Sequence, residues 1–342
     1  MHLIPTDEQR QLTEAAAEFL RNEMSTALIR ERRGQADAVP GELWAAAAEL
    51  GLLGLGLAEK SGGLGAGLVE ESLVFREIGR IPSPGPFLSS TLGARVAAQS
   101  VDIDLAEKIS SGRTPVGLGL LRPGARLDCD GLTGDVDLVD VTEGGLALML
   151  TRDAVALVDT SAVGRPTSVE AIDPAMRLAT AAFRSVAPLH FVRATDEPLH
   201  LRATVLTAAL LTGVAEGALA ASVQHAKVRE QFGRPIGVNQ AVKHRCAEMA
   251  LHAEAAASQT SFAAAAFDGS REDAAFHATA AMVMAGHAAR ENAAANVQLH
   301  GGMGFTAEDD AHLYVKRAEV LGHVTGGREV HLARLLELPR PE

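Results

Sequence analysis

Residues 229–240 read REQFGRPIGVNQ, with Arg229, Gln231, Phe232 and Arg234 gathered around a Gly-x-Pro turn. A helix can end on a single glycine, so the polar cluster exceeds what a helix stop requires. Two guanidinium forks, an amide and a flat aromatic ring suit a planar, anionic partner. A second set lies in VQLHGGMGFTAEDDAHLYVKRA, residues 297–318. It carries Gln298 and the glycine pair Gly301–Gly302. Each set taken alone also reads as a helix end with solvated arginines, or as a Gly-rich turn between helices. The loop GLLGLGLAEKSGGLGAGL (51–68) carries six glycines between Gly51 and Gly65. It lacks the preceding strand and the Lys-Ser/Thr of a P-loop, and it forms no GxGxxG between strand and helix.

The chain has 342 residues, 47% of them hydrophobic, which is enough for two or three domains or for one large helical domain with an insertion. Its formal charge of -12 and the lack of a Lys/Arg-rich run exclude a general nucleic-acid binder. The N-terminus, MHLIPTDEQR, has no signal-peptide layout. No uninterrupted apolar stretch approaches the ~20 residues of a membrane span. Cys129 and Cys246 lie far apart without CxxC spacing, which predicts two free thiols in a reducing cytoplasm.

Apolar spacing at Leu12, Ala15, Ala16 and Phe19 predicts a helix over 6–33, with Thr6 and Asp7 as candidate caps. Further helices are predicted at 41–50, 69–80 and, after the break IPSPGPF, 91–112. Between Pro115 and Pro198 the runs VGLGLL, VDLVDV, LALMLT, VALVD and TAAFRSV predict short strands. Long Ala-rich helices then follow: 204–228, one with an apolar stripe at Val242, Cys246 and Met249 capped by Asn239, 272–299 and 307–322. Such helices pack closely and suit an antiparallel bundle.

In this order the chain resembles an acyl-CoA dehydrogenase. The most specific matches are REQFGRPIGVNQAVKHRCAEM (229–249) and the 297–318 segment; residues 43–80 resemble the family's N-terminal helical domain. The resemblance implies a mainly α fold: an N-terminal helical domain (1–113), a small, reduced middle β domain (114–198) and a C-terminal four-helix bundle (199–342). It also implies FAD lying across a subunit interface. Arg229, Gln231, Phe232, Arg234, Gln298, Gly301 and Gly302 would then hold the ADP half of a neighbouring subunit's cofactor. An acyl-CoA substrate and an electron-transfer acceptor follow from the same resemblance.

Two departures qualify the likeness. The family's glutamate base precedes a Gly-Thr/Ser segment, but here Thr325 precedes Gly326; at the alternative base position stand Ala203 or Thr204. Neither Thr nor Ala is a base near neutral pH, so no catalytic residue is assigned. Glu216, Glu329 and His323 are the nearby substitutes, and His323 has the most suitable ordinary pKa. The second departure is the middle segment. It has no Thr-Glu-Pro…Gly-Ser-Asp loop, no Trp-Ile-Thr-type strand, no Trp and no Tyr; its first aromatics are Phe183 and Phe191. A flavin ring needs planar contacts and donors that this segment scarcely offers. Three readings follow. The chain is a subunit that gives the ADP-binding face while a related dehydrogenase subunit gives the flavin bed and glutamate, similar to the α2β2 actinobacterial enzymes for steroid side chains. Alternatively it is a homo-oligomer with a displaced base, or a structural or regulatory subunit that binds no flavin.

Overall fold

The computed structural model describes residues 3–196, 198–339 and 341. The chain starts with α1 (Asp7–Glu23), α2 (Thr26–Glu31) and α3 (Gly41–Glu49). Thr6 caps α1 in a reciprocal box: Gln9 N–H donates to Thr6 Oγ1 at 3.2 Å, and Thr6 N–H donates to Gln9 Oε1 at 2.9 Å. The single helix expected over 6–33 is broken at Met24–Ser25. Met24 leaves helical geometry there, and the Thr26 hydroxyl donates to Asp310 at 2.6 Å. Ser and Thr favour helix boundaries because their hydroxyls compete for hydrogen bonds.

The chain continues through α4 (Leu68–Arg80), α5 (Phe87–Gln99) and α6 (Ile103–Ser110). The helix expected over 91–112 is thus two. Val101 takes φ +62°, and Asp102 caps the new helix by accepting from Leu105 N–H at 3.1 Å. Glycine in the loop before α4 serves packing. A Cβ on Gly56 would strike the Glu71 carboxylate and Arg95, and Arg95 donates to the Gly56 carbonyl.

Next come β1 (Val116–Leu121), β2 (Arg126–Leu127), β3 (Leu132–Val139), β4 (Leu146–Leu150), β5 (Ala154–Asp159), β6 (Thr167–Val169), β7 (Leu178–Val186) and β8 (His190–Arg193). They form one sheet in the order β6-β7-β3-β1-β4-β5-β8, with β2 pairing on β3. The β1–β4 pair is parallel, and the others are antiparallel. Leu132, Val136, Leu138, Met149, Val158 and Phe183 make its core. The five runs read from sequence correspond to β1, β3, β4, β5 and β7. Three further strands, β2, β6 and β8, are too short or too exposed to carry an apolar signature.

The rest is helical: α7 (Leu199–Val228), a small hairpin of β9 (Glu230–Gln231) and β10 (Arg234–Pro235), α8 (Gln240–Asp268), α9 (Ala274–His300), α10 (Ala311–Leu321) and α11 (Arg328–Glu337). Asn239 sits at the start of α8 without a side-chain cap bond. Among these helices, α11 has no counterpart in the sequence expectations. One stretch of α7 has the length and mean hydropathy, 1.6, of a membrane span, but 83% of it is buried inside the protein. The chain makes two compact units: 1–26 with 72–83 and 204–342, and 27–71 with 84–203. In the first, α4 and α7 touch backbone to backbone. A Cβ on Gly213 would collide with the Arg76 carbonyl, and one on Gly79 with the Leu210 carbonyl.

Candidate functional site

The 229–240 segment turns at Phe232–Gly233, and Pro235 of the expected Gly-x-Pro turn lies in β10. Helix α7 ends at Val228, and Arg229 N–H still donates to the His225 carbonyl at 2.8 Å. Gln231 pairs with Arg234, so Phe232 and Gly233 form a two-residue turn with φ +54° and +77°. Positive φ at both central residues is the primed turn that matches strand twist. Glycine takes it freely; a phenylalanine there costs about 1–3 kcal/mol. Phe232 is also 100% exposed, so the strain brings no packing within this chain.

Arg229, Gln231 and Arg234 are exposed around it. Among the described residues neither arginine has a carboxylate partner, and Gln231 Nε2 donates to the Glu230 carbonyl at 2.8 Å. Ile236 N–H donates to the Arg229 carbonyl at 2.8 Å and closes the hairpin.

The second motif lies at the end of α9. Gln298 is exposed, and its carbonyl accepts from Gly301 N–H. Gly301 takes φ +65°, which explains glycine there. Gly302 is different: its φ is unexceptional, and a Cβ would meet nothing within 4 Å. The chain itself places no demand for glycine at 302, so the smooth backbone fits a group approaching from outside. Beyond it, Met303 is 53% and Phe305 83% exposed.

The two motifs meet through residues that sequence reasoning passed over. The rings of His225 and His300 pack with centroids 4.0 Å apart at 32°. His300 Nδ1–H donates to the Asn296 carbonyl at 2.8 Å. Partial burial, then His300, push the His225 pKa down. The available signal was a histidine four residues before Arg229 and another two residues after Gln298.

The base positions look different. Thr325, Ala203 and Thr204 are all buried. Thr325 Oγ1 is 3.3 Å from Nε2 of His331, also buried and unnoticed in the sequence. Burial, then Arg334, lower the His331 pKa. The three substitutes are engaged or outward. Glu216 takes Arg76 Nε at 2.8 Å and Arg80 Nη2 at 2.6 Å. His323 is exposed, with Nδ1–H on the Glu319 carbonyl at 2.8 Å, and Glu329 is exposed. In the sheet, an open cleft of about 450 Å³ is lined by Leu121, Cys129, Thr151, Asp153, Phe191 and Arg193.

Residues 199–337 match the acyl-CoA dehydrogenase C-terminal domain, and residues 6–100 match the acyl-CoA dehydrogenase N-terminal domain. The chain belongs to the acyl-CoA dehydrogenase family. Acyl-CoA dehydrogenase IpdE2 of Mycobacterium tuberculosis is 31% identical over 99% of this chain and 96% of its own length. Acyl-CoA dehydrogenase FadE34 of the same organism is 34% identical over 97% of this chain; this chain spans 48% of that protein. Among solved structures, the Tcur3481–Tcur3483 steroid ACAD superposes with a TM-score of 0.87 at 25% identity, covering 97% of each chain. The ChsE4–ChsE5 complex from Mycobacterium tuberculosis shares the fold, with a TM-score of 0.84 at 24% identity over 99% of this chain and 100% of that one. The chain therefore has the family fold, with N-terminal helices, a small sheet and C-terminal helices.

Proposed function

We propose that this chain takes part in FAD-dependent α,β-dehydrogenation of an acyl-CoA thioester by contributing the ADP-binding half of an FAD site shared between subunits. A related subunit supplies the flavin bed and the catalytic glutamate. The observation that carries this reading is Phe232: a strained, fully exposed aromatic between Arg229 and Arg234, which have no carboxylate partner among the described residues. Strain of that kind persists where the surroundings or a ligand require it. Arg229 and Arg234 hold pyrophosphate oxygens, Phe232 covers a flat apolar face, Gln298 hydrogen-bonds an amide-like edge, and Gly301–Gly302 accept close approach. FAD, when bound, is the hydride acceptor.

The assignment of the other half to a partner rests on the buried, non-basic Thr325 and Ala203. The open cleft beside Phe191 offers one aromatic face and no Trp or Tyr. The names of the relatives support the reaction class. IpdE2 and FadE34 are both named acyl-CoA dehydrogenases, and one similar structure is described as a steroid ACAD. The substrate class proposed is a bulky, polycyclic acyl-CoA, and the electrons pass to an external electron-transfer acceptor.

The test is colour and stoichiometry. The lone chain is expected to purify colourless or to aggregate. Co-purified with its related subunit it becomes yellow, with FAD at about half the number of chains. Saturating FAD in the lone protein overturns the shared-site reading and leaves a homo-oligomer. Unchanged flavin in the complex after Arg229 and Gln298 are both replaced by Ala leaves a structural subunit.

A further inference from the structure

We infer that three polar rungs between α7 and α9 are positioning residues that hold the two motifs level; the inference rests on the reading that those motifs bind the ADP half of FAD. The first rung is Asn292, whose Nδ2 donates to the Ala215 carbonyl at 3.0 Å and the Met249 carbonyl at 2.9 Å. The second is Ser222 Oγ donating to Asn296 Oδ1 at 2.8 Å. The third is the His225–His300 ring pair.

The partners rise together, 215 with 292, 222 with 296 and 225 with 300. Helices α7 and α9 therefore run parallel and finish at the same end. The surrounding buried positions, among them Ala218, Ala285, Ala288, Ala289 and Ala293, are small and alike. Such surfaces discriminate weakly between registers one turn apart, a slip of about 5.4 Å. A buried polar group is different, because a slip leaves it unpaired in apolar surroundings.

The last rung reaches both motifs directly. The His225 carbonyl holds Arg229 N–H, and the Arg229 carbonyl holds Ile236 N–H, so the hairpin hangs from His225. On the other side, a Cβ on Gly304 would lie 2.8 Å from His300 Cβ, so the 301–305 turn folds back against His300. Neither histidine is needed to touch the nucleotide; each fixes what does.

The test uses the full chain in its FAD-bearing assembly with three variants: His300→Ala, His300→Phe and Ser222→Ala. FAD release on dilution and amide exchange over residues 229–236 are both measured. His300→Ala is expected to weaken FAD binding by about tenfold and to speed hairpin exchange, since ligand geometry must hold to about 0.5 Å. His300→Phe keeps a ring against His225 and restores most of both. Wild-type affinity and exchange in His300→Ala, with FAD lost in Arg229→Ala, overturns the inference while the proposed function stands. If Arg229→Ala also keeps its FAD, the proposed function falls, and unchanged hairpin exchange then removes the positioning role as well. Should His300→Ala fail to fold, Ser222→Ala makes the same comparison one rung lower.

Discussion

The imidazoles of His225 and His300 lie 4.0 Å apart, and through them the end of α7 is joined to the end of α9. Residues 75 apart in sequence thus bring an exposed arginine pair and a bare glycine turn to one end of the helical unit. The consequences are measurable.

Arg229→Ala should weaken FAD retention by removing a charge-assisted hydrogen bond, on the order of 1.5–3 kcal/mol. That is roughly a tenfold to hundredfold loss in affinity. Flavin content is read by visible absorbance after serial dilution. Arg229 is exposed and has no carboxylate partner among the described residues, so the thermal midpoint of the flavin-free protein should not move; unchanged flavin would make it a solvated helix end.

Gly302→Ala and Gly213→Ala should separate ligand contact from packing. Open space surrounds position 302, so the first variant should keep wild-type stability and lose flavin affinity. Position 213 faces the Arg76 carbonyl, so the second should lower the unfolding midpoint by forcing α4 and α7 apart. Denaturant unfolding alongside flavin release checks both, and full flavin affinity in Gly302→Ala would count against close approach there.

Tyr314 is the single tyrosine of the chain, and burial, then Asp310, push its pKa up to about 12 from 10.0. The unfolded state therefore ionises first. The stabilisation is complete below pH 10.0 and is lost as pH rises toward about 12. Its size is on the order of 2–3 kcal/mol. Phenolate absorbance should rise near pH 10.0 in denaturant and only with alkaline unfolding in native protein. A native titration overlaying the denatured one would contradict this.

Thr325→Glu should not make the lone chain a dehydrogenase. The side chain enters a buried position beside His331, where a new carboxylate must be desolvated. Lower stability and no acyl-CoA oxidation are expected. A base works only with substrate and flavin placed to within about 0.5 Å. Robust turnover by the single variant would mean that the sheet region of this chain beds a flavin unaided.

Much of this was legible in residue order. Repeating apolar positions placed the long helices, because a helix buries one stripe in every 3.6 residues, and the motifs marked their ends. Arg229 and Phe232 announced themselves as part of a polar and aromatic cluster beyond what a helix stop requires, and Thr325 by being the wrong type for a base. Local pattern failed where the deciding partner was distant. The breaks at Met24 and Val101 follow from Asp310 reaching Thr26 and from a left-handed residue ahead of the Asp102 cap. Strands β6 and β8 are held by ladder bonds to β7 and β5 rather than by their own apolar content.

The sequence by itself determined which residue types are present: two arginines and an aromatic around a Gly-x-Pro stretch, a glycine pair after Gln298, and no glutamate at either base position. Those are properties of residue type and need no fold to state. Only the tertiary structure decided which groups act together and which are already taken. Glu216 is no spare base, because Arg76 and Arg80 converge on it from α4. His323 turns outward onto its own helix, while His331 is drawn inside against Thr325. His225 and His300 become a pair only when two Ala-rich helices run parallel in one register, and that register is set by buried hydrogen bonds between residues far apart in the chain.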